Sequence, residues 1–292
     1  MLLSILIVNY NSSRELLEVV AQLENDVRLP KGFEKKIFIV ENGSTTPGEW
    51  ETLQVLKEYP DVNLFISEKN LGFTGGNNFL IEKANALNSD YFLLLNPDTA
   101  VDKNFIVELL KINPDVASPK IYFYKGYETH PSRYKKEDFG HVIWYGGGII
   151  DWDNVVGYHR LVDTVDVKLA TSNQPLDTDF CTGCCTLISK DVMEKLHGLD
   201  NKYFLNLEDL DFSVRAKRAG FDTLYVPKAI IWHKNAVSKG GVGSPVEDYW
   251  QTRNRLIFAF KYAKLKTKIL LLWQLVKTAD KNRWKAIFSA FT

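Results

Sequence analysis

Cysteine is scarce: the chain has three in 292 residues, Cys181, Cys184 and Cys185. An odd, crowded set does not suggest a secreted disulfide framework, and a reducing, cytoplasmic compartment fits better. Net charge is absent too. Thirty-six Lys and Arg balance thirty-six Asp and Glu, so no strong overall field favours nucleic acid as a partner, and electrostatic specificity must be local. Long apolar runs are also lacking. Met1 to Val8 has no basic leader and passes straight into Asn9-Tyr10-Asn11, as a first strand does and a signal peptide does not. Ile269 to Val276 is interrupted by Gln274 and falls far short of the roughly 20 residues that span a bilayer, so no membrane crossing is expected. There is no internal repeat and no low-complexity linker.

What the chain does have is 45% apolar residues, ample for a sizeable core. Its first hundred residues alternate β-rich runs with helical ones, the pattern of a parallel sheet covered by helices. Strands are expected at Leu2 to Val8, Lys36 to Val40, Val62 to Ser67 and Tyr91 to Leu95. Helices are expected near Arg14 to Asn25, Pro47 to Glu58 and Gly75 to Leu87, the second capped by Ser44 or Thr45 with Pro47 in its first turn. Each strand ends in a small polar cluster: Asn9-Tyr10-Asn11, Glu41-Asn42-Gly43-Ser44, Asn70-Leu71-Gly72-Phe73 and Asn96-Pro97-Asp98-Thr99. Open α/β sheets bind ligands outside the carboxyl ends of their strands, so these clusters would line one crevice.

From Ile112 to Asp177 the periodicity weakens, and no chemistry can be placed there. Regularity returns at Phe180 to Ser189, followed by a helix from Leu207 to Ala219 closed by Gly220 and a strand around Thr223 to Pro227. The Lys239 to Pro245 stretch reads as a glycine-rich lid that could order over a ligand and exclude water. Residues 1–245 then form one α/β domain and 246–292 a helical extension, with Glu247 to Phe291 read as helix. From Lys261 onward that extension holds eight Lys or Arg against the single acid Asp280. With its Leu and Trp content it could rest on an anionic bilayer, or pack as a helical pair with a solvated basic face.

Several residues could carry chemistry. Asp98, presented from the turn fixed by Pro97, could hold Mg²⁺ or Mn²⁺, although Asn-Pro-Asp is also simple turn chemistry. Glu208, Asp209 and Asp211 crowd the first turn of a predicted helix. Such crowding can raise a carboxylate pKa towards a general base's working range, and it is equally a common solvated acidic turn. His233 follows an apolar strand beside Trp232, which could shape a pocket wall, and its ring nitrogen could complete a metal's coordination or simply pack. Gly72 to Asn78 lets the backbone approach a ligand at a helix start without being a dinucleotide fingerprint, while Asn9, Asn11 and Glu41 could read a base and ribose. Cys181 and Cys184 have C-x-x-C spacing, but no histidine is spaced to complete a zinc site, and small buried packing residues are expected there.

Taken in order over roughly Met1 to Asn254, these motifs resemble the family 2 inverting glycosyltransferases of GT-A fold, especially the rhamnosyltransferase-like branch. Ile7 to Ser12 looks like the first nucleotide loop, Val40 to Ser44 the second, and Asn70 to Asn78 the Asn-Leu-Gly-Phe-x-Gly-Gly-x-Asn segment. Asn96-Pro97-Asp98-Thr99 stands at the D-x-D-like motif, so the resemblance implies Asp98 as the metal-ligating acid and His233 as a second ligand. Glu208-Asp209-x-Asp211-Phe212 matches the Glu-Asp motif, implying Asp209 as catalytic base, and Arg253-Asn254 matches a C-terminal Arg-Asn pair. Two positions depart from the pattern: Glu41 stands where the family usually has Asp, and Asn96 replaces the first acid.

The expectation is an α/β GT-A enzyme using Mn²⁺ or Mg²⁺ and a nucleotide diphosphate sugar donor. Its acceptor would be a saccharide or lipid-linked saccharide, with peripheral contact at the inner face of the cell membrane. The substrate-binding residues would be Asn9, Asn11, Glu41, Asn70, Gly75, Asn78, Asp98, Glu208, Trp232 and Arg253. Two alternatives stand beside it. A sugar nucleotidyltransferase should carry a Gly-rich basic loop after the first strand, and Asn9-Tyr10-Asn11 is neither; a non-catalytic saccharide-binding relative would differ only in turnover.

Overall fold

The computed structural model describes residues 1–166, 173–234 and 244–291. Its centre is a parallel run of four strands, β1 (Leu2–Asn9), β2 (Glu34–Asn42), β3 (Val62–Ser67) and β4 (Tyr91–Leu95), in the order β4-β1-β2-β3. Both faces of β1 are covered: Leu3, Ile5 and Ile7 enter one apolar cluster and Leu6 the other. That is why the strand reads as a continuous apolar run rather than an alternating one. The crossovers are α1 (Ser13–Asn25), α2 (Glu49–Leu53) and α3 (Gly72–Asn85). On α1, Leu16, Val19, Val20 and Leu23 recur at helical spacing and are fully buried.

The second half adds strands around a reversal. In chain order come β5 (Thr99–Val101), α4 (Phe105–Leu110), β6 (Val116–Phe123), β7 (Ile143–Tyr145), the hairpin β8 (Gly148–Asp151) and β9 (Val156–His159), and β10 (Leu176–Asp177). Then follow β11 (Cys185–Ser189), α5 (Lys190–Leu196), α6 (Glu208–Arg218) and β12 (Thr223–His233). β11 inserts antiparallel between β4 and β6, β12 lies parallel to β6, and β5 pairs antiparallel with β12. The result is a mixed, mostly parallel α/β sheet with helices on both faces.

The first four strands fall where the sequence puts them, but two helical expectations are corrected. The second helix is not capped by Ser44 or Thr45. The Ser44 amide donates to Glu41 Oε1 (2.7 Å), and the Thr45 and Thr46 amides donate to Asn11 Oδ1 (2.8 and 2.9 Å). Those donors are held in a loop, so α2 opens only at Glu49, after Gly48 at φ 83°. The extension is three helices, α7 (Pro245–Tyr262), α8 (Leu265–Thr278) and α9 (Lys281–Ser289), the last capped by Asp280 Oδ1, which accepts from the Asn282 and Arg283 amides. Residues 239–243 of the expected lid lie outside the described residues.

α7 is tied to α6 by a buried ionic knot. Asp211, fully buried, accepts from Arg215 Nε (2.8 Å), Tyr262 Oη (2.7 Å), Tyr203 Oη (3.3 Å) and Lys261 Nζ, which also bonds Asp200 (2.8 Å). Burial pushes the Asp200 carboxyl up, but Lys261 and the Lys202 amide outweigh it and hold it below its ordinary 3.8. A lowered folded-state pKa means that its stabilisation is present above the ordinary value and lost as pH falls through the depressed one. The melting temperature is therefore expected to decline as pH drops from about 4 towards 3, more steeply in wild type than in Lys261→Met. Parallel pH profiles for the two proteins would contradict this.

Candidate active site

β4 delivers Leu95 to the sheet edge, and the chain turns through Asn96-Pro97-Asp98. The turn is fixed at both ends. The Asn96 amide donates to Cys184 O (2.9 Å), and Thr99 Oγ1 donates back to Asn96 O (2.8 Å). The antiparallel register of β5 and β12 then sets Thr99 opposite His233, and the Lys234 amide donates to Asp98 O (2.9 Å). Residues 135 positions apart thus meet, with His233 Nε2 3.2 Å from Asp98 Oδ1 and both side chains buried. Trp144 on β7 meets the His233 ring edge-on (centroids 4.6 Å) and does the same to His159 of β9 (4.4 Å). Burial alone would lower the His233 pKa, but Cys184 and the Asp98 carboxylate beside it raise it to about 10.

The second element is the first turn of α6. Asn206 and Leu207, just before it, are both left-handed (φ 72° and 65°), a conformation costing roughly 1–2 kcal/mol for each residue with a side chain. Asn254 of α7 holds that kink, its Nδ2 donating to Leu205 O (2.8 Å) and Asn206 O (2.9 Å). The carboxylate of Asp209 is in turn oriented by the Gly183 amide on Oδ2 and the Leu210 amide on Oδ1, each 2.9 Å. Asp209 is half-buried and Glu208 buried, both on the cavity wall, whereas Asp211 faces the interior knot. The acidic turn is therefore split, two carboxylates to the site and one to the core.

These pieces line one cavity of about 730 Å³, within the ordinary range for a small-ligand site. Asn11, Asn70, Asp98, Glu208, Asp209 and His233 all border it. Gly72 at φ 73° permits the close approach on its floor, since a Cβ there would lie 2.4 Å from Phe204 O.

Six expected residues lie off the cavity wall. Asn9 Nδ2 donates to Glu41 Oε2 (2.6 Å), so these two buried side chains occupy each other behind it. Asn78 is spent on Leu199 and Asn201, its Nδ2 donating to Leu199 O and Asn201 Oδ1 and its Oδ1 accepting from the Leu199 amide. Trp232 alternates with His233 along β12, so it points to the other side and donates to Gly140 O (2.9 Å). Arg253 bonds Lys202 O and Ser289 Oγ, and a Cβ on Gly75 would meet only Leu71. Conversely, Trp144, His159, Trp250 and Arg255 line the cavity without having been singled out. Trp250 and Arg255 recur on α7 near the matched Arg-Asn pair, the one signal that pointed there.

The described lining residues include four carboxylates (Asp98, Glu208, Asp209, Glu247), Arg255 and His233, the last paired with Asp98. Asp98 Oδ1 and His233 Nε2, 3.2 Å apart, have the spacing of neighbouring ligands in an octahedron with bonds of about 2.1–2.3 Å.

The chain matches the family model described as "Glycosyl transferase family 2" over residues 4–197, and that described as "Glycosyltransferase like family 2" over residues 158–258. It is 24% identical over 260 residues to the low-salt glycan biosynthesis hexosyltransferase Agl10 of Haloferax volcanii, covering 87% of this chain and 74% of that protein. It is 23% identical over 258 residues to the N-acetylglucosaminyl-diphospho-decaprenol L-rhamnosyltransferase of Mycobacterium tuberculosis, covering 82% and 78%. Its fold is similar to that of GalNAc-T7 solved with UDP, GalNAc and Mn²⁺ (TM-score 0.63, 18% identity). That likeness covers 89% of this chain and 50% of the other, so this chain spans about half of its length.

Proposed function

Because the chain belongs to glycosyl transferase family 2 and carries the GT-A fold, we propose that it moves a sugar from a nucleoside diphosphate donor to an acceptor hydroxyl with inversion at the anomeric carbon. The observation that carries this is the convergence of Asp98, His233 and Asp209, from three separate segments, on one cavity.

Asp98 and His233, the latter giving up its ring proton on binding, would hold a divalent cation, Mn²⁺ or Mg²⁺, which when bound neutralises the charge developing on the departing diphosphate. Asp209 accepts the acceptor's proton on its carboxylate as the hydroxyl attacks, and the Gly183 and Leu210 amides keep that carboxylate aimed. Trp250 and Phe204, stacked with ring centroids 4.6 Å apart, form an apolar wall that excludes water from the donor. The acceptor is a saccharide, free or lipid-linked, in surface polysaccharide synthesis. A rhamnosyl donor is the first to test and a hexosyl donor the second, following the relatives' own activities.

Thermal shift against uridine, thymidine and guanosine diphosphate sugars, with and without Mn²⁺, tests this directly. A donor at 100 times its Kd should add about 2.7 kcal/mol of stability, and only with the metal present. Asp98→Ala and His233→Ala should abolish the metal-dependent part. No shift and no nucleoside diphosphate release with any donor would overturn the proposal.

A further inference from the structure

We propose that the outward face of α8 and α9 is a docking surface for an anionic lipid bilayer, laying these helices in the plane of the membrane surface. α8 buries Leu271 and Leu275 on one side. On the other, Leu265, Ile269, Trp273 and Val276 recur at helical spacing and are exposed, Leu265 by 72% and Trp273 by 57%. α9 repeats the arrangement, burying Ala286 and Ile287 while exposing Trp284 and Phe288, whose rings stack 5.8 Å apart. The two faces meet through α7. There Phe260 lies edge-on to Phe291 (5.0 Å), with the Lys268 ammonium 5.6 Å above its ring. Exposed apolar faces rimmed by polar residues mark sites of interaction with a protein or a membrane.

Charge identifies the occupant. Lys264, Lys266, Lys277, Lys281 and Lys285 are exposed around the stripe, and Lys277 sits 3.6 Å over the Trp273 ring. The one acid in this stretch, Asp280, is engaged in capping α9. Aromatic and aliphatic side chains rimmed by lysines match the interfacial layer of an anionic bilayer. A second copy would press lysines against lysines. Among the described residues no helix is long and apolar enough to cross a membrane, so the helices lie on it rather than through it.

α7 connects this face to the cavity. Its Val246, Trp250 and Arg255 line the cavity, and Phe260 lies five residues beyond Arg255, about 8 Å along the helix. The cavity is therefore held close to the bilayer surface. If the chain is a glycosyltransferase as proposed above, its acceptor is one presented at that surface, a lipid-linked saccharide.

Flotation of the intact chain with vesicles separates the possibilities. Wild type should float with phosphatidylcholine–phosphatidylglycerol vesicles at low salt and hardly at all with pure phosphatidylcholine. Lys266→Gln and Lys281→Gln should each weaken binding by about fivefold, and the Trp273→Glu/Phe288→Glu protein by at least about tenfold. The last pair is exposed and outside the cavity, so its melting temperature and its nucleoside diphosphate release with a soluble acceptor should match wild type. Failure of wild type to float with anionic vesicles at low salt overturns the proposal. So does self-association abolished by Trp273→Glu/Phe288→Glu without any vesicle binding. A protein that floats but turns over no donor leaves the docking surface standing and removes the glycosyltransferase proposal instead.

Discussion

Asp209→Asn is expected to keep donor binding and to lose about 10² to 10⁴ in turnover, the usual worth of a general base. The substitution is nearly isosteric and retains an acceptor oxygen for the Gly183 amide, so the loop and the α6 turn should stay where they are. What it removes is the ability to take a proton. Donor affinity measured by titration, set beside kcat for sugar transfer, distinguishes the two effects. Turnover within a few-fold of wild type would remove Asp209 from the base's role and shift attention to Glu208, the other carboxylate of that turn on the cavity wall. Asp98→Ala should behave differently, losing metal-dependent donor binding as well as turnover.

Asp211→Asn should have the largest effect on stability. Its carboxylate is fully buried and answers two cations and two phenols, so removing the charge strands Arg215 and Lys261 in a partly dry environment. Breaking one side of a buried ion pair costs about 3–5 kcal/mol. Lys261 keeps Asp200 and both cations retain some solvent access, so the low end, about 3 kcal/mol, is expected. For a chain of this size that lowers the melting temperature by roughly 6–12 °C. Replacing the pair together, as Asp211→Leu with Lys261→Met, should recover part of the loss, because of the two stranded cations only Arg215 remains, and it is still held by Leu196 O and Gly198 O. A double variant as unstable as Asp211→Asn would show that packing at this junction, not the ion pair, joins α6 to α7.

The parts of the molecule that were legible in the sequence share one property: their geometry is set locally. β1, β3 and β4 are bounded by their own polar clusters, and the Asn-Pro-Asp turn is dictated by Pro97. Within residues 112–177, β7, β8 and β9 were opaque because they are only three or four residues long and are ordered by tertiary contacts, and β6, though eight residues long, because Pro119 and Lys120 interrupt its apolar run. Trp144 is placed by His233 and His159, and no spacing rule connects those three. Trp232 and Asn78 fail as cavity residues for a similar reason. Adjacent motif positions do not share a face: one residue along a strand reverses the side chain's direction, and Asn78 is claimed by a loop about 120 positions away. Six of the twelve expected site residues reach the cavity wall, and those that do sit at strand ends or at a helix start.

The strained pair Asn206 and Leu207 bears on how such enzymes can be recombined. The kink that aims the Asp209 carboxylate is locked by Asn254, which belongs to the C-terminal helices, so the piece of chain supplying that carboxylate and the piece bracing it have to be exchanged together. A chimera joined anywhere between Arg218 and Pro245 would import a foreign brace. It should fold yet work poorly until its α6 entry loop is exchanged as well.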